Sequence, residues 1–300
     1  MLRPASRPPV WPALATLCAL ALSCSACAKH GPSPAGAPPA HAGPPTADSV
    51  TVGLWHLDER SATYVSDASP FRLSGTAGPD TRVEFGRYKG ARAFLGSAQS
   101  FVFVPYNPVM ESPRGFTVEA WVYLNDYSRY ELSGIAMRWS PVPNEQSWLL
   151  GVVGRKLAPP TIATPSAGWF DEEVATLQSG HLVFAFRPEQ AAGTQSFAST
   201  AVIPTGRWVH VAASVDGEVV RISIDGRLDV QVAIANGIRR SSAPLVVGNA
   251  LDPRRLTEFG SDLRQDPATV PLPFYALNGL VDELRLSNVA RSYFESADLR

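Results

Sequence analysis

Phe116-Thr-Val-Glu-Ala-Trp-Val-Tyr-Leu124 is the stretch that decides the fold. Its apolar residues recur at every second position, so Phe116, Val118, Ala120, Val122 and Leu124 share one face. That period of two belongs to a half-buried strand and excludes a helix. Downstream, Trp208-Val-His-Val-Ala-Ala-Ser-Val215 repeats the pattern with Val209, Val211, Ala213 and Val215. It meets Asp216-Gly217, a tight-turn pair, then Val220, Ile222 and Ile224 alternate up to a second Asp-Gly at 225–226. Val50 to Leu57, Phe101 to Val104, Leu245 to Asn249 and Leu280 to Leu286 supply further strands. Many short strands punctuated by Gly, Pro and Asp predict an all-β protein, an antiparallel β-sandwich or jelly roll rather than a parallel α/β sheet.

Two stretches interrupt the rhythm. Residues 139–200 carry Trp139, Trp148, Trp169 and Phe170 among prolines and glycines, with a short helix predicted at Asp171 to Gln178. Residues 251–274 are polar and proline-punctuated. Both read as insertions on a compact scaffold, the kind of surface loop in which binding specificity tends to sit. There is no internal repeat, so the body of the chain, 49–300, reads as one domain.

The N-terminus reads as an address. Arg3 and Arg7 precede an apolar run from Trp11 to Leu22, the layout of a secretory signal and too short to span a bilayer. All 3 cysteines of the 300-residue chain, Cys18, Cys24 and Cys27, fall inside this segment. The body therefore has no thiol for a disulfide, a zinc site or a nucleophile. Small residues before Cys24 and Cys27 resemble a bacterial lipobox, so 1–27 is expected to be a lipoprotein-type signal peptide acylated at Cys24 or Cys27. Residues 28–48 (AKHGPSPAGAPPAHAGPPTAD) are expected to be a disordered Pro-rich tether. The expected destination is the cell surface or outer membrane by way of an N-terminal lipid, with plain secretion as the alternative. With 18% charged residues and a formal net charge of −1, the chain is unsuited to binding nucleic acid by bulk electrostatics.

A set of motifs, in order, resembles the bacterial laminin-G-like jelly roll of the concanavalin A-like lectin/glucanase superfamily. They are Gly53-Leu-Trp-His-Leu-Asp-Glu59, Asp67-Ala-Ser-Pro-Phe71, Gly86-Arg-Tyr-Lys-Gly-Ala-Arg-Ala-Phe94 and Phe101-Val-Phe-Val-Pro105. Phe116 to Val122, Gly206-Arg-Trp-Val-His-Val-Ala212, Ile224-Asp-Gly226, Asn278 to Leu286 and Asn288-Val-Ala-Arg291 complete it. The resemblance covers Val50 to Arg291 and implies the concanavalin A-like fold with a general habit of binding. Leu95 stands where such domains often carry Asp, and the 139–200 region has no clean counterpart.

Catalytic signals are weak. The glucanases of that superfamily place their acids on one strand as Glu-x-Asp-x-Glu, and no such run occurs here. The acidic pairs Asp58-Glu59 and Asp282-Glu283 are adjacent, so on regular strands their members point to opposite faces. His210, in phase with Trp208, reads as a packed strand residue rather than a base. Asp282 is in phase with Leu280, Leu284 and Leu286, which puts a carboxylate on an apolar face. It reads either as a clamp on backbone amides or an arginine, or as a ligand, with Asp58 and carbonyls, of one structural calcium ion. Trp55, Trp121 and Trp208 are expected in the core, whereas Trp139, Trp148 and Trp169 are candidates to stack on sugar rings. The function expected is a non-catalytic cell-surface binding module for a polysaccharide, glycoprotein or matrix protein. The alternatives are a divergent glycoside hydrolase or polysaccharide lyase whose carboxylates converge only in three dimensions, and a structural envelope lipoprotein.

Overall fold

The computed structural model describes residues 43–111, 115–157, 177–190, 192–259, 262–266 and 275–291. The signal segment, Cys24, Cys27, Trp169 and nearly all of the helix predicted at 171–178 lie outside them. In chain order the strands are β1 (Thr51–Trp55), β2 (Tyr64–Val65), β3 (Gly75–Ala77), β4 (Thr81–Phe85), β5 (Gly90–Leu95), β6 (Val102–Val104), β7 (Phe116–Asp126), β8 (Leu132–Trp139) and β9 (Gln146–Val153). There follow β10 (His181–Phe186), β11 (Gln195–Val202), β12 (Trp208–Val215), β13 (Val219–Ile224), β14 (Arg227–Ala233), β15 (Leu245–Val247), β16 (Leu256–Phe259), β17 (Asp262–Gln265) and β18 (Asn278–Ser287).

The first sheet runs β14-β13-β12-β7-β18-β5-β4, with β1 also paired to β18; the second runs β11-β10-β9-β8-β15-β6-β3-β2. Ladder pairing is antiparallel throughout, and the protein is an all-β sandwich of the jelly-roll kind. The alternation in β7 does what its period requires. Phe116, Val118, Ala120, Val122 and Leu124 enter the inter-sheet core with Val209, Val211, Ala213 and Val215 of β12. From the second sheet they meet Trp148, Leu150, Val152, Phe184 and Phe186. Burial of these side chains is the dominant stabilising term, each Val, Leu or Phe among them worth about 1.5–3 kcal/mol against exposure.

Where it is described, the region read as a loop insertion at 139–200 contributes strands to the second sheet. β9, β10 and β11, with the end of β8, build half of the second sheet from it. β9 and β10 hide their period because both of their faces are buried. Trp148 and Leu150 face the sandwich core, while Leu149, Val183 and Ala185 pack outward with Trp139, Met137, Leu251 and Tyr275. A strand covered on both sides reads as a continuous apolar run. Leu256 and Leu263 of the β16–β17 hairpin add to that outer cover, so the polar 251–274 stretch includes a structural flap on the second sheet.

Buried polar groups hold the loops to this frame. Asp67, fully enclosed, accepts the backbone N–H groups of Leu54 (2.8 Å), Ser69 (2.8 Å) and Leu73 (2.7 Å), which explains the Asp-Ala-Ser-Pro-Phe motif. Arg138 donates to the carbonyls of Ala243 (3.1 Å), Met110 (3.0 Å) and Ser241, and burial lowers its guanidinium to about 10. Residues 43–48, read as the end of a disordered tether, are instead anchored on the sheet. Asp48 receives Arg291 at 2.8 and 2.9 Å, and the Thr46 carbonyl accepts from Arg285 at 3.4 Å. Among the described residues no helix is long and apolar enough to cross a membrane.

Candidate functional site

The chemistry gathers on the outer face of the first sheet, where β18 changes partner. Along one side β18 pairs with β7 throughout; along the other it pairs with β5 over Asn278–Val281 and with β1 over Leu284–Ser287. At the change, β18 advances from Asp282 to Arg285 while β7 advances only from Trp121 to Glu119. One extra residue is therefore accommodated as a bulge, and Glu283 takes the left-handed conformation at φ +53°. Such a conformation costs a side-chain-bearing residue about 1 kcal/mol or more and is held by its surroundings. The bulge breaks the alternation expected for adjacent acids. Asp282 and Glu283 both turn toward the loops that fill the gap between β5 and β1.

Asp282 is 0% exposed and its Oδ2 accepts the Tyr88 N–H at 2.9 Å. Its Oδ1 is buried and forms no close hydrogen bond among the described residues. Burial pushes its carboxyl up to about 8, against hydrogen bonds from the backbone of Tyr88, Arg87 and Glu283. Gly86 sits against it: a Cβ there would lie 2.6 Å from Asp282 Oδ2 and 2.3 Å from the Gly90 carbonyl oxygen. Asp282 is thus a clamp on the Gly86–Lys89 turn. Asp58 faces Lys89 at 3.9 Å. Among the described residues no group of three or more His, Cys, Asp or Glu side chains is placed to hold a metal ion. Asp282 and Asp58, the pair considered with backbone carbonyls for calcium, are engaged here by the Tyr88 N–H and by Lys89 respectively.

Glu283, buried, accepts from His56 Nδ1 at 2.6 Å. That hydrogen bond raises His56 above the usual histidine value against its partial burial, and burial raises the Glu283 carboxyl. The pair therefore keeps its shared proton to a higher pH than a free histidine would. His56, Asp58, Tyr88, Lys89 and Glu283 line a pocket of about 230 Å³ closed on another side by Pro44–Ala47.

Beside the pocket runs an aromatic strip. Tyr88 meets Trp121 edge-on at 6.4 Å, Trp121 meets His210 at 5.4 Å, and Arg87 lies over the Trp121 ring at 4.8 Å. Tyr123 and Trp208, half-buried and 5.7 Å apart, stand over Ala91, Ala93 and Leu280. Beneath, Glu119 binds His210 at 3.1 Å and Arg285 at 2.8 Å. Burial alone would raise Glu119, but His210 and Arg285 hold it below the usual carboxylate range. His210 is, as expected, a packed strand residue.

Of the tryptophans, Trp55 is in the inter-sheet core as expected. Trp121 and Trp208 are not: they lie on the opposite face, a placement already implicit in β7 and β12, since both are out of phase with the core valines. Trp139 and Trp148 are each 1% exposed and offer no ring face to a sugar. Trp148 packs on Phe116 at 4.8 Å, and Trp139 lies in the outer cluster of the second sheet. The partly exposed ring pair on this face is Tyr123 with Trp208; the sequence reading put Trp208 in the core and gave Tyr123 no role.

Solved structures share this architecture. Domain 4 of AbnA, a GH43 extracellular arabinanase from Geobacillus stearothermophilus solved in complex with arabinotriose, matches with a TM-score of 0.53 at 19% identity, covering 83% of this chain and 96% of that one. The binding domain of Paraclostridial Mosquitocidal Protein 1 gives 0.54 at 13% identity, over 82% of this chain and 50% of that one. The Botulinum neurotoxin serotype D ligand binding domain, in complex with N-acetylneuraminic acid, gives 0.51 at 11% identity, over 81% and 48%. This chain thus spans about half the length of those toxin domains, and at such identities the likeness is one of fold. No curated protein matches the chain in sequence. A laminin G family model, described as concanavalin A-like lectin/glucanases superfamily, matches residues 96–295.

Proposed function

The chain belongs to the concanavalin A-like lectin/glucanase superfamily, and from that membership we propose that it is a non-catalytic carbohydrate-binding module. Its ligand, a polysaccharide or the glycan of a surface or matrix glycoprotein, lies on the outer face of the first sheet. The observation that carries this reading is the partly exposed Tyr123–Trp208 pair, linked through Trp121 and Tyr88 to the polar pocket at His56, Asp58 and Lys89. A sugar needs both halves: ring faces to stack its C–H surface, and fixed polar groups to meet its hydroxyls. Two of the structural neighbours were solved in complex with arabinotriose and with N-acetylneuraminic acid, which supports a sugar as the kind of ligand.

Binding is favoured over hydrolysis because the gathered carboxylates are already engaged. Asp282 is sealed under the 86–89 turn, and Glu283 is committed to His56. Export and attachment by a lipid at Cys24 or Cys27 complete the proposal, with the Pro-rich segment as spacer. A glycan array with the full chain, run beside hydrolysis assays on every hit, tests it. Glycan capture that falls at least tenfold in Trp208→Ala and Tyr123→Ala supports the site (roughly 1.4 kcal/mol). Product release would make the protein an enzyme, and silence on all glycans would leave an extracellular protein as the partner.

A further inference from the structure

β4 is the terminal strand of the first sheet: β5 occupies one of its edges, and among the described residues no strand occupies the other. Exposed edges usually carry a bulge, a proline or repelling charges that keep a second chain away. This one, Thr81-Arg82-Val83-Glu84-Phe85, pairs with β5 in unbroken register and contains no proline. Phe85 is 95% exposed, an unusual position for a phenylalanine on an open strand. Arg82 and Glu84 are exposed too, and among the described residues neither has an ion-pair partner.

The hydrogen-bond phase of the hairpin decides which backbone groups face outward. Gly86 N–H donates to the Lys89 carbonyl at 3.0 Å, so Gly86 and Lys89 form a hydrogen-bonded pair. Alternation along an antiparallel ladder then makes Glu84–Ala91 and Arg82–Ala93 hydrogen-bonded pairs as well. Thr81, Val83 and Phe85 consequently turn their backbone groups to the open edge, although the Thr81 N–H is already engaged by the Gly78 carbonyl at 3.2 Å.

We propose that β4 is a self-pairing edge, at which two copies of this chain join antiparallel across a two-fold axis through Val83. In that register Val83 of each copy donates to and accepts from Val83 of the other. The Phe85 N–H of each meets the free Thr81 carbonyl opposite. Arg82 falls directly opposite Glu84 of the second copy, on the same face, and the symmetry repeats the ion pair. Such cross-strand pairs have Cβ atoms about 4.5–5.5 Å apart and stabilise a sheet by about 0.2–1 kcal/mol each. Phe85 lies opposite Thr81 and diagonal to Val83, which covers its ring. An edge whose charges were alike would repel its own copy; this edge attracts it. The contact is isologous and closes at two copies.

The surface is at the small end of specific interfaces, so association in the micromolar range is expected, read by sedimentation velocity of the full chain from about 10 µM to about 1 mM. The wild type shifts from monomer to dimer over that range. Arg82→Glu and Glu84→Arg each place like charges opposite one another and weaken the dimer by about tenfold or more. An equimolar mixture of the two variants restores association, because the wholly acidic edge of one then faces the wholly basic edge of the other. Both positions are exposed and, among the described residues, without an ion-pair partner, and unchanged circular dichroism and melting confirm that each variant is folded. A wild type that stays monomeric throughout, a dimer indifferent to both substitutions, or a mixture no tighter than its parts each overturns the proposal.

Discussion

Replacing Asp282 by Asn removes a titration that the fold itself imposes. The carboxyl moves from an ordinary 3.8 in the unfolded chain up to about 8 in the folded protein, chiefly because burial disfavours its charge. The folded value is the higher one, so the folded state holds the proton more tightly. The stability tied to this group is therefore whole below about pH 4 and lost as pH rises toward about 8. At about 1.4 kcal/mol per pH unit, the loss across that window is roughly 5–6 kcal/mol, to within one or two kcal/mol. Asn keeps a carbonyl oxygen for the Tyr88 N–H and carries no charge at any pH. Urea unfolding of wild type and Asp282→Asn at pH 4, 5, 6, 7 and 8 reads the effect directly. Taking the difference at pH 4 as baseline, the variant gains steadily on the wild type, by several kcal/mol at pH 8. A difference that stays flat with pH would show that Asp282 ionises freely in the folded protein, and the account of the bulge would fail with it.

Gly86→Ala drives a methyl group to within 2.3 Å of the Gly90 carbonyl oxygen, and thermal unfolding should show a loss of about 1–3 kcal/mol. Arg138→Met leaves the carbonyls of Met110, Ser241 and Ala243 buried without that donor; denaturant unfolding should show a cost of at least about 3 kcal/mol, with glycan capture by the residual folded protein unchanged. The His56 ring, followed by NMR, should titrate above the ordinary 6.5, since Glu283 stabilises its charged form. Stability from that charge is full below about pH 6.5 and fades as pH rises through the folded value; Glu283→Gln should return the ring toward 6.5.

Much of the scaffold is legible in the sequence because strand alternation is local. β7 and β12 announce their inner faces residue by residue, and the tight-turn glycines mark where hairpins reverse. The same parity places Trp121 and Trp208 on the outer face, although large aromatic residues in good strands suggest a core. The 139–200 region misleads for the opposite reason. β9 and β10 are covered on both sides, so Trp139, Leu149 and Val183 are as apolar as Trp148, Leu150 and Phe184, and the period vanishes. The rings in it that look free for sugar, Trp139 and Trp148, are packing.

By itself, the sequence determined the all-β class, the sandwich and the cysteine-free body, since each follows from residue type and from spacing within a single segment. Tertiary structure alone decided the site. Asp282 and Glu283 face the same loops only because β18 exchanges β5 for β1 at that point and takes in one extra residue against β7. His56 and Glu283 are 227 positions apart, and Tyr88 and Asp282 are 194 apart. No local period carries information over such separations. It is the order of strands across the sheet that brings those side chains together.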